Sequence, residues 1–466
     1  MGLNPAFCSS MGFLNVPSEL FTMIISHLET RHLKQLMESN KAIYSLVTPV
    51  FYRKVWTKRQ TCCDLAGLVN LLRRLPDICQ LISVLNIDEM DESGFRELLS
   101  LELPNLEAIN VEHACGTVKT ADTERREELN AGIRLKPKLI KFAILDACRH
   151  VDAVQSNEVE ETASLYKIHA QDSVYFSQPT LARLKLAHLD LSAFRKHPAE
   201  PFPMEALRHM EIDDCHIHIA SLGKFLLRAS SLQSFRFRHH RHLSFCRSSF
   251  VSLLSGCKET LETLELSWRS SLSHYDFRGP MLFEEFTAMK QLLVDPQALF
   301  VNYLGSTNLR PMLKHVLAPN LEVLMLEGVR ERAHQHDSDQ DHLGQTSTIG
   351  QPDEKLLSDI INFKSEILPH LRYVLLCDCS SIEDLDRFCE MADRQNVRLA
   401  LLTTQIDQPI PNLELLDSSW AEHASDKEER TDYQQVRCYD GSSWVCRDAS
   451  FTVVDAHSEE NSPWEQ

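Results

Sequence analysis

The charge best suited to bind a partner lies between positions 236 and 247, where Arg236, Arg238, His239, His240, Arg241, His242 and Arg247 form a basic island in a chain of net charge −18. Guanidinium groups offer paired N–H donors to carboxylates and phosphates, so an acidic segment or a phosphorylated peptide could dock there. The plainer alternative is a solvated edge offset by neighbouring acids, the usual fate of a charge run. Lys185, Glu211, Asp213, Glu265 and Ser267 lie at similar places along the chain pattern, and their mixed sign suits a specific protein partner better than a polyanion. The candidate target-binding set is therefore Lys185, Glu211, Asp213, Arg236, Arg238 and Glu265.

Nothing in the chain is spaced for catalysis. There is no G-x-S-x-G elbow, no G-x-x-x-x-G-K-[ST] loop, no G-x-G-x-x-G turn and no H-E-x-x-H helix. The His and Asp residues of ERAHQHDSDQDHLGQTSTIGQPDEK fit no zinc or calcium spacing, and that stretch is expected to be a flexible, solvated insertion at 331–355. The 14 cysteines are scattered without a C-x-x-C pair, which predicts reduced, mostly buried thiols. The expectation is a non-catalytic chain with no cofactor and no metal.

The acidic balance argues against a nucleic-acid partner, which demands a basic surface. No run reaches the ~18 apolar residues of a membrane span, and MGLNPAFCSS lacks the charged and apolar regions of a signal peptide. Ala6 stands where myristoylation needs Ser or Thr. These features predict no membrane association and a cytoplasmic or nuclear location.

The elements that must position the charges are announced by a recurring hexad, L-x-x-L-x-L. It occurs at Ile82/Leu85/Ile87, Leu106/Ile109/Val111, Leu139/Phe142/Ile144, Leu181/Leu184/Leu186, Leu207/Met210/Ile212, Leu232/Phe235/Phe237, Leu261/Leu264/Leu266, Leu321/Leu324/Leu326 and Leu371/Val374/Leu376, with weaker copies starting at Met289 and Val397. Successive leads are 24 to 50 residues apart, with a mean of 31.5. That mean lies near the upper edge of leucine-rich periods. In each hexad the last two apolar residues are two apart, as on one face of a strand; the residue between them points to the other face, expected to be free. One such turn cannot bury its leucines, so copies must stack into a solenoid with a parallel sheet. Helical hairpins could carry similar leucines. Lead-ins such as LPNLEAINV, QPTLARLKL, APNLEVLML and LPHLRYVLL favour strands, because proline interrupts a helix but suits a loop entering a strand.

Ahead of the hexads, VPSELFTMIISHLETRHLKQLMESNKAIYSLVTPVFYRKVW predicts three short helices. Leu20, Ile24 and Leu28 make one stripe, widened by Phe21 and Ile25, with Pro17 in the first turn and Glu19 near the positive end of the dipole. Thr30 can cap a second helix carrying Leu33, Leu36 and Met37. Ala42, Ile43, Leu46 and Val47 mark a third, which Pro49 is expected to stop. A unit of ~40 residues has more apolar surface than it can hide alone, so either the rest of the chain or a partner covers it. Cap and docking module are equally open on this pattern.

The same stretch resembles an F-box: Val16, Pro17, Glu19 and Leu20 match its opening, Ile24 and Leu28 the rest of its first helix, Leu33, Leu36 and Ile43 its later apolar positions, Lys41 the basic residue of the third helix, and Trp56 the closing aromatic. Val16 replaces a usual leucine, and Ser39 stands where the family keeps an apolar residue. Cys215 and Cys379, eight residues after their leads, and LRYVLLCDCSSIEDL resemble the cysteine-containing leucine-rich repeats found behind F-boxes. The resemblance implies a fold of the α/β class, with an N-terminal three-helix F-box at 14–56, a helical linker at 57–80, an irregular leucine-rich-repeat solenoid at 81–404 and a polar tail or cap at 405–466. It implies adaptor binding through Val16, Pro17, Leu20, Ile24, Leu28, Leu33, Leu36 and Ile43. The function it implies is substrate recognition in an SCF-type cullin-RING ubiquitin ligase, with a Skp-type adaptor and an unknown target protein as partners. A repeat scaffold whose F-box-like segment only caps it, or serves a ubiquitin-independent adaptor complex, is the alternative.

Overall fold

The computed structural model describes residues 17–57, 65–90, 92–113, 135–145, 165–168, 175–176, 178–195, 204–239, 247–268, 281–294, 299, 310–327, 354–377, 385–402, 434–439 and 444–449. The chain divides into two units, Met1–Leu207 with Cys215–Ile217, and Arg208–Asp214 with His218–Gln466.

The first unit begins with three helices, α1 (Ser18–Ser26), α2 (Thr30–Ser39) and α3 (Lys41–Phe51). Pro17 sits just ahead of α1, and its carbonyl accepts the Phe21 N–H at 2.9 Å. Thr30 is the first residue of α2 and does not cap it; the preceding Glu29 makes no side-chain capping bond. The side chain that does cap is Asn40, whose Oδ1 accepts the Ala42 N–H at 2.7 Å and satisfies one of the orphan donors of α3. Pro49 lies within α3 instead of stopping it. Its ring fixes a helical φ and deletes only one hydrogen bond, and the helix closes one turn later with Tyr52 N–H on the Thr48 carbonyl at 3.0 Å.

Strand β1 (Lys54–Thr57) follows at once. Then come α4 (Leu65–Arg74), α5 (Pro76–Cys79), β2 (Val84–Glu89), α6 (Glu92–Ser100), β3 (Ala108–His113), β4 (Lys141–Leu145), β5 (Tyr166–Lys167), β6 (Arg183–Ala187) and β7 (Leu189–Asp190). Strands β1, β2, β3, β4 and β6 pair side by side in parallel. The stretch expected as a linker is thus strand at residue 57 and helix from Leu65. The Leu65, Leu68, Val69 and Leu72 stripe of α4 is buried and the helix packs beside α6. The short β5 and β7 form a separate parallel pair, extended by a bridge from Asp190 to His216.

The second unit contains β8 (His209–Asp213), α7 (Ile219–Leu226), β9 (Ser234–His239), α8 (Arg247–Leu253), β10 (Thr263–Trp268), β11 (Gln291–Val294), α9 (Arg310–Val316), β12 (Val323–Glu327), α10 (Glu354–Asn362), α11 (Lys364–Ile367), β13 (Tyr373–Cys377), α12 (Leu385–Arg394), β14 (Arg398–Leu402), β15 (Gln434–Tyr439) and β16 (Trp444–Ala449). Strands β8 to β14 pair in parallel in chain order. An antiparallel hairpin, β15 and β16, closes on β14. Most of the expected insertion at 331–355 and of the 405–466 stretch lies outside the described residues.

The hexads form strands, and their apolar positions line up across neighbours. In the first unit Leu85, Ile109, Phe142 and Leu184 are register partners, as are Ile87, Val111, Ile144 and Leu186. In the second, Met210, Phe235, Leu264, Leu292, Leu324 and Val374 run in one row and Ile212, Phe237, Leu266, Val294, Leu326 and Leu376 in the next. Every lead from Ile82 to Val397 is buried. The copy starting at Val397 is out of step by one: Leu399 and Leu401, not Ala400 and Leu402, join the two apolar rows. Asn396, just ahead of this lead, has φ 52°, in the left-handed region that asparagine tolerates.

The expectation of one free sheet face fails along much of the ladder: Asn86, Asn110, Ala143 and Glu265, between the core positions of β2, β3, β4 and β10, are buried. Leu293, Met325, Leu375 and Ala400, the residues between the core positions of β11 to β14, are buried as well. Strands covered on both faces read as nearly continuous apolar runs, as YVLLC and RLALL do.

Candidate partner-docking surfaces

At about 100° per residue, α1 carries two apolar stripes. Phe21, Ile25 and Leu28 turn inward. Phe21 and Ile25 join Leu33 of α2 and Val47 of α3 in a closed core, with Leu28, Leu36, Met37, Ile43, Val50 and Phe51 packed around it. Burying each of the four central side chains is worth about 1.5–3 kcal/mol, so the small unit has a core of its own. Leu20, Met23 and Ile24 form the other stripe and are 48%, 57% and 45% exposed. Tyr44 and Leu46 on α3 and Trp56 on β1 are also exposed.

The residues expected to bind an adaptor therefore divide. Leu20, Ile24 and Pro17 are on the surface; Leu28, Leu36 and Ile43 are half-buried against the bundle core; Leu33 is inside it. Val16 lies outside the described residues. Sequence spacing missed Met23, although its place three residues after Leu20 on the same stripe was a readable signal. Ser39 is exposed and its hydroxyl donates to the Leu36 carbonyl at 2.7 Å, so no apolar side chain is required there for packing.

The charged candidates of the second unit are drawn together by register. Glu211 on β8, Arg236 on β9 and Glu265 on β10 are mutual partners, and Asp213, Arg238 and Ser267 form the adjacent row. Arg236 Nε donates to Glu265 Oε1 at 2.7 Å and Arg236 Nη1 to Glu211 Oε1 at 3.4 Å. Arg238 reaches the same Glu265 oxygen through Nε at 2.8 Å and Nη2 at 2.7 Å. The side chains of Arg238 and Glu265 are each only 5% exposed. The two arginines thus serve an internal ion-pair network rather than an open basic island. His240, Arg241 and His242 lie outside the described residues. Lys185 belongs to the first unit, on β6, half-buried.

Three carboxyls face two guanidiniums in this network. Burial pushes the Glu265 carboxyl up to about 7 against the pull of Arg238, and the charges of Glu211 and Asp213 push the same way. For Arg238, burial works to lower the pKa, but Glu265, Asp213 and Glu211 outweigh it and the net shift is upward. The most buried acid is the one that most easily keeps a proton.

Among the described residues, no group of three or more His, Cys, Asp or Glu side chains can hold a metal ion. Cys79, Cys215, Cys257, Cys377 and Cys389 are free and buried. Burial raises the Cys79 thiol and pushes Cys257 up to about 12, the opposite of what a nucleophile requires. Cys215 donates to the Leu186 carbonyl at 3.4 Å; Cys379 lies outside the described residues. Among the described residues, no helix is long and apolar enough to cross a membrane.

No protein-family model matches the chain, and no curated protein does. Among solved structures the chain is similar to one from the crystal structure of the Rad7 and Elc1 complex in yeast, with 11% identity over 79% of this chain and 91% of that one and a TM-score of 0.26. At that score no residue of one chain can be equated with a residue of the other.

Proposed function

We propose that the three-helix unit is an F-box, that the parallel strands and their helices are an irregular leucine-rich-repeat solenoid, and that the chain is the non-catalytic substrate-recognition subunit of an SCF-type cullin-RING ubiquitin ligase. In this reading a Skp-type adaptor covers the α1 stripe, the repeats hold a target protein, and tethering raises the target's effective concentration beside a ubiquitin-conjugating enzyme. The chain contributes geometry and no bond-making. It would act in the cytoplasm or nucleus.

One observation carries the proposal: Leu20, Met23 and Ile24 remain exposed on a helix whose other stripe has already closed a core. A pure cap would turn its surplus apolar stripe toward the repeats. An exposed stripe on a preformed helix is what a helix-in-groove partner requires.

The test is co-purification of the full chain with a Skp-type adaptor, followed by addition of a cullin-RING module. The chain is expected to enter the complex. Leu20→Asp with Ile24→Asp should reduce capture by two orders of magnitude or more, since each lost contact is worth about 1.5–3 kcal/mol. Thermal unfolding should stay unchanged, because neither side chain is in the core. Capture that survives the double substitution in a folded chain would leave the scaffold reading in its place.

A further inference from the structure

The exit from α3 into β1 reproduces the joint found between the repeats. In the first unit the Ser83 carbonyl accepts the N–H groups of Glu107 at 2.8 Å and Ala108 at 3.0 Å. The Glu107 carbonyl accepts those of Ile140 at 2.8 Å and Lys141 at 3.0 Å, and the Ile140 carbonyl those of Ala182 at 2.8 Å and Arg183 at 2.9 Å. One carbonyl, just ahead of each strand, thus receives two successive amides of the next repeat. Arg53 does the same: its carbonyl accepts Ser83 N–H at 2.9 Å and Val84 N–H at 3.0 Å, with the Ser83 hydroxyl also pointing at it from 3.4 Å.

Register completes the match. Val55 partners Leu85 and Thr57 partners Ile87, so Tyr52, Val55 and Thr57 occupy the positions held in the next repeat by Ile82, Leu85 and Ile87. Tyr52 precedes Ile82 by 30 residues, within the spacing of the other leads. This is a hexad whose leucines have been replaced by tyrosine, valine and threonine, and for that reason sequence pattern alone does not reveal it.

We infer that the three-helix unit supplies the first repeat of the ladder, and so acts as amino-terminal cap and docking module at once instead of hanging from the repeats by a linker. This deepens, and rests on, the docking function proposed above. Stacked repeats need a terminal member that closes the open end, and an uncovered strand edge invites wrong pairing. Strand β1 takes the terminal place beside β2, and the helices α1 to α3, with no further leucine hexad, lead into it. Only Tyr52 and Arg53 separate α3 from β1. The Phe51 and Tyr52 rings meet edge to face at 5.0 Å, and Val50 and Phe51 pack against the bundle core. Side-chain contact therefore runs from the bundle core to Tyr52, and the backbone bonds at the Arg53 carbonyl carry the joint on to β2.

Hydrogen exchange of the full chain, followed by mass spectrometry on peptides spanning 18–51, 80–90 and 321–327, tests this. Val47→Ala, a cavity in the bundle core, is expected to speed exchange at least tenfold in both 18–51 and 80–90 and to leave 321–327 unchanged. Loosening confined to 18–51 would overturn the inference. A second variant covers a Val47→Ala chain that fails to fold: four Gly-Ser residues inserted between Tyr52 and Arg53 should unprotect 80–90 while 18–51 stays protected, and unchanged protection at 80–90 would again overturn it. Leu20→Asp should lower adaptor capture with no change in exchange. If the native chain captures no adaptor, the docking function falls, while the exchange pattern still reports the cap.

Discussion

Leu20 and Phe21 are neighbours in the chain and opposites in role: one faces out, the other closes the bundle core. The same contrast governs the charged network, where a residue's type says far less than its neighbours do. Arg238 and Glu265 are nearly sealed from solvent, so replacing Arg238 by Met removes its charge-assisted bonds to a carboxyl that keeps Arg236 and then holds its proton more tightly, and should cost about 1–3 kcal/mol in urea unfolding at neutral pH. The carboxyl of Glu265, raised from 4.5 to about 7, sets a pH dependence. Between those values the folded chain holds a proton that the unfolded chain releases. The contribution of this group to stability is full below about pH 4.5 and is lost as the pH rises through about 7. Native stability should therefore fall more between pH 5 and pH 8 than that of Glu265→Gln. Equal slopes in the two proteins would show that the carboxyl is already ionised at pH 5.

At the scale of elements, helix ends depend on side chains remote in sequence. The buried ammonium of Lys136 donates to the carbonyls of Leu99 at 2.7 Å and Leu101 at 2.5 Å, where α6 ends and the helix dipole is negative. Lys136→Met removes those bonds and should destabilise the chain by about 1–3 kcal/mol in the same unfolding assay, with Lys136→Arg less affected. No local rule places Lys136 beside residues 35 positions away. The strands were legible for the opposite reason: two apolar residues two apart, repeated after each lead, need only the period of a strand and a neighbour to stack on. Leu293, Met325, Leu375 and Ala400 carried their own signal, an apolar residue between two apolar residues, and this signal marks a strand covered on both faces. The caps were less readable. Thr30 and Asn40 are both good capping types, but Thr30 falls inside α2 with Glu29 ahead of it, whereas Asn40 stands at the N-cap of α3 and does the work.

For the molecule as a whole, the apolar positions of the three helices were readable from spacing, but which of them stay outside was not. Leu33 and Ile24 look alike in a helical pattern, and the third helix decides which of them it covers. The fate of the charged residues was not legible: charges on a strand face attract one another before they attract a partner, and the arginines singled out by sequence spend themselves on Glu211 and Glu265. Adaptor recruitment requires the apolar stripe of α1 to be a binding face. The most direct measurement is a calorimetric titration of the full chain with a purified Skp-type adaptor at several temperatures. Submicromolar, one-to-one binding is predicted, with a negative heat-capacity change that shrinks or disappears with Leu20→Asp and Ile24→Asp. A native chain that gives no binding heat at any temperature, or binding that the double substitution leaves intact, would contradict it.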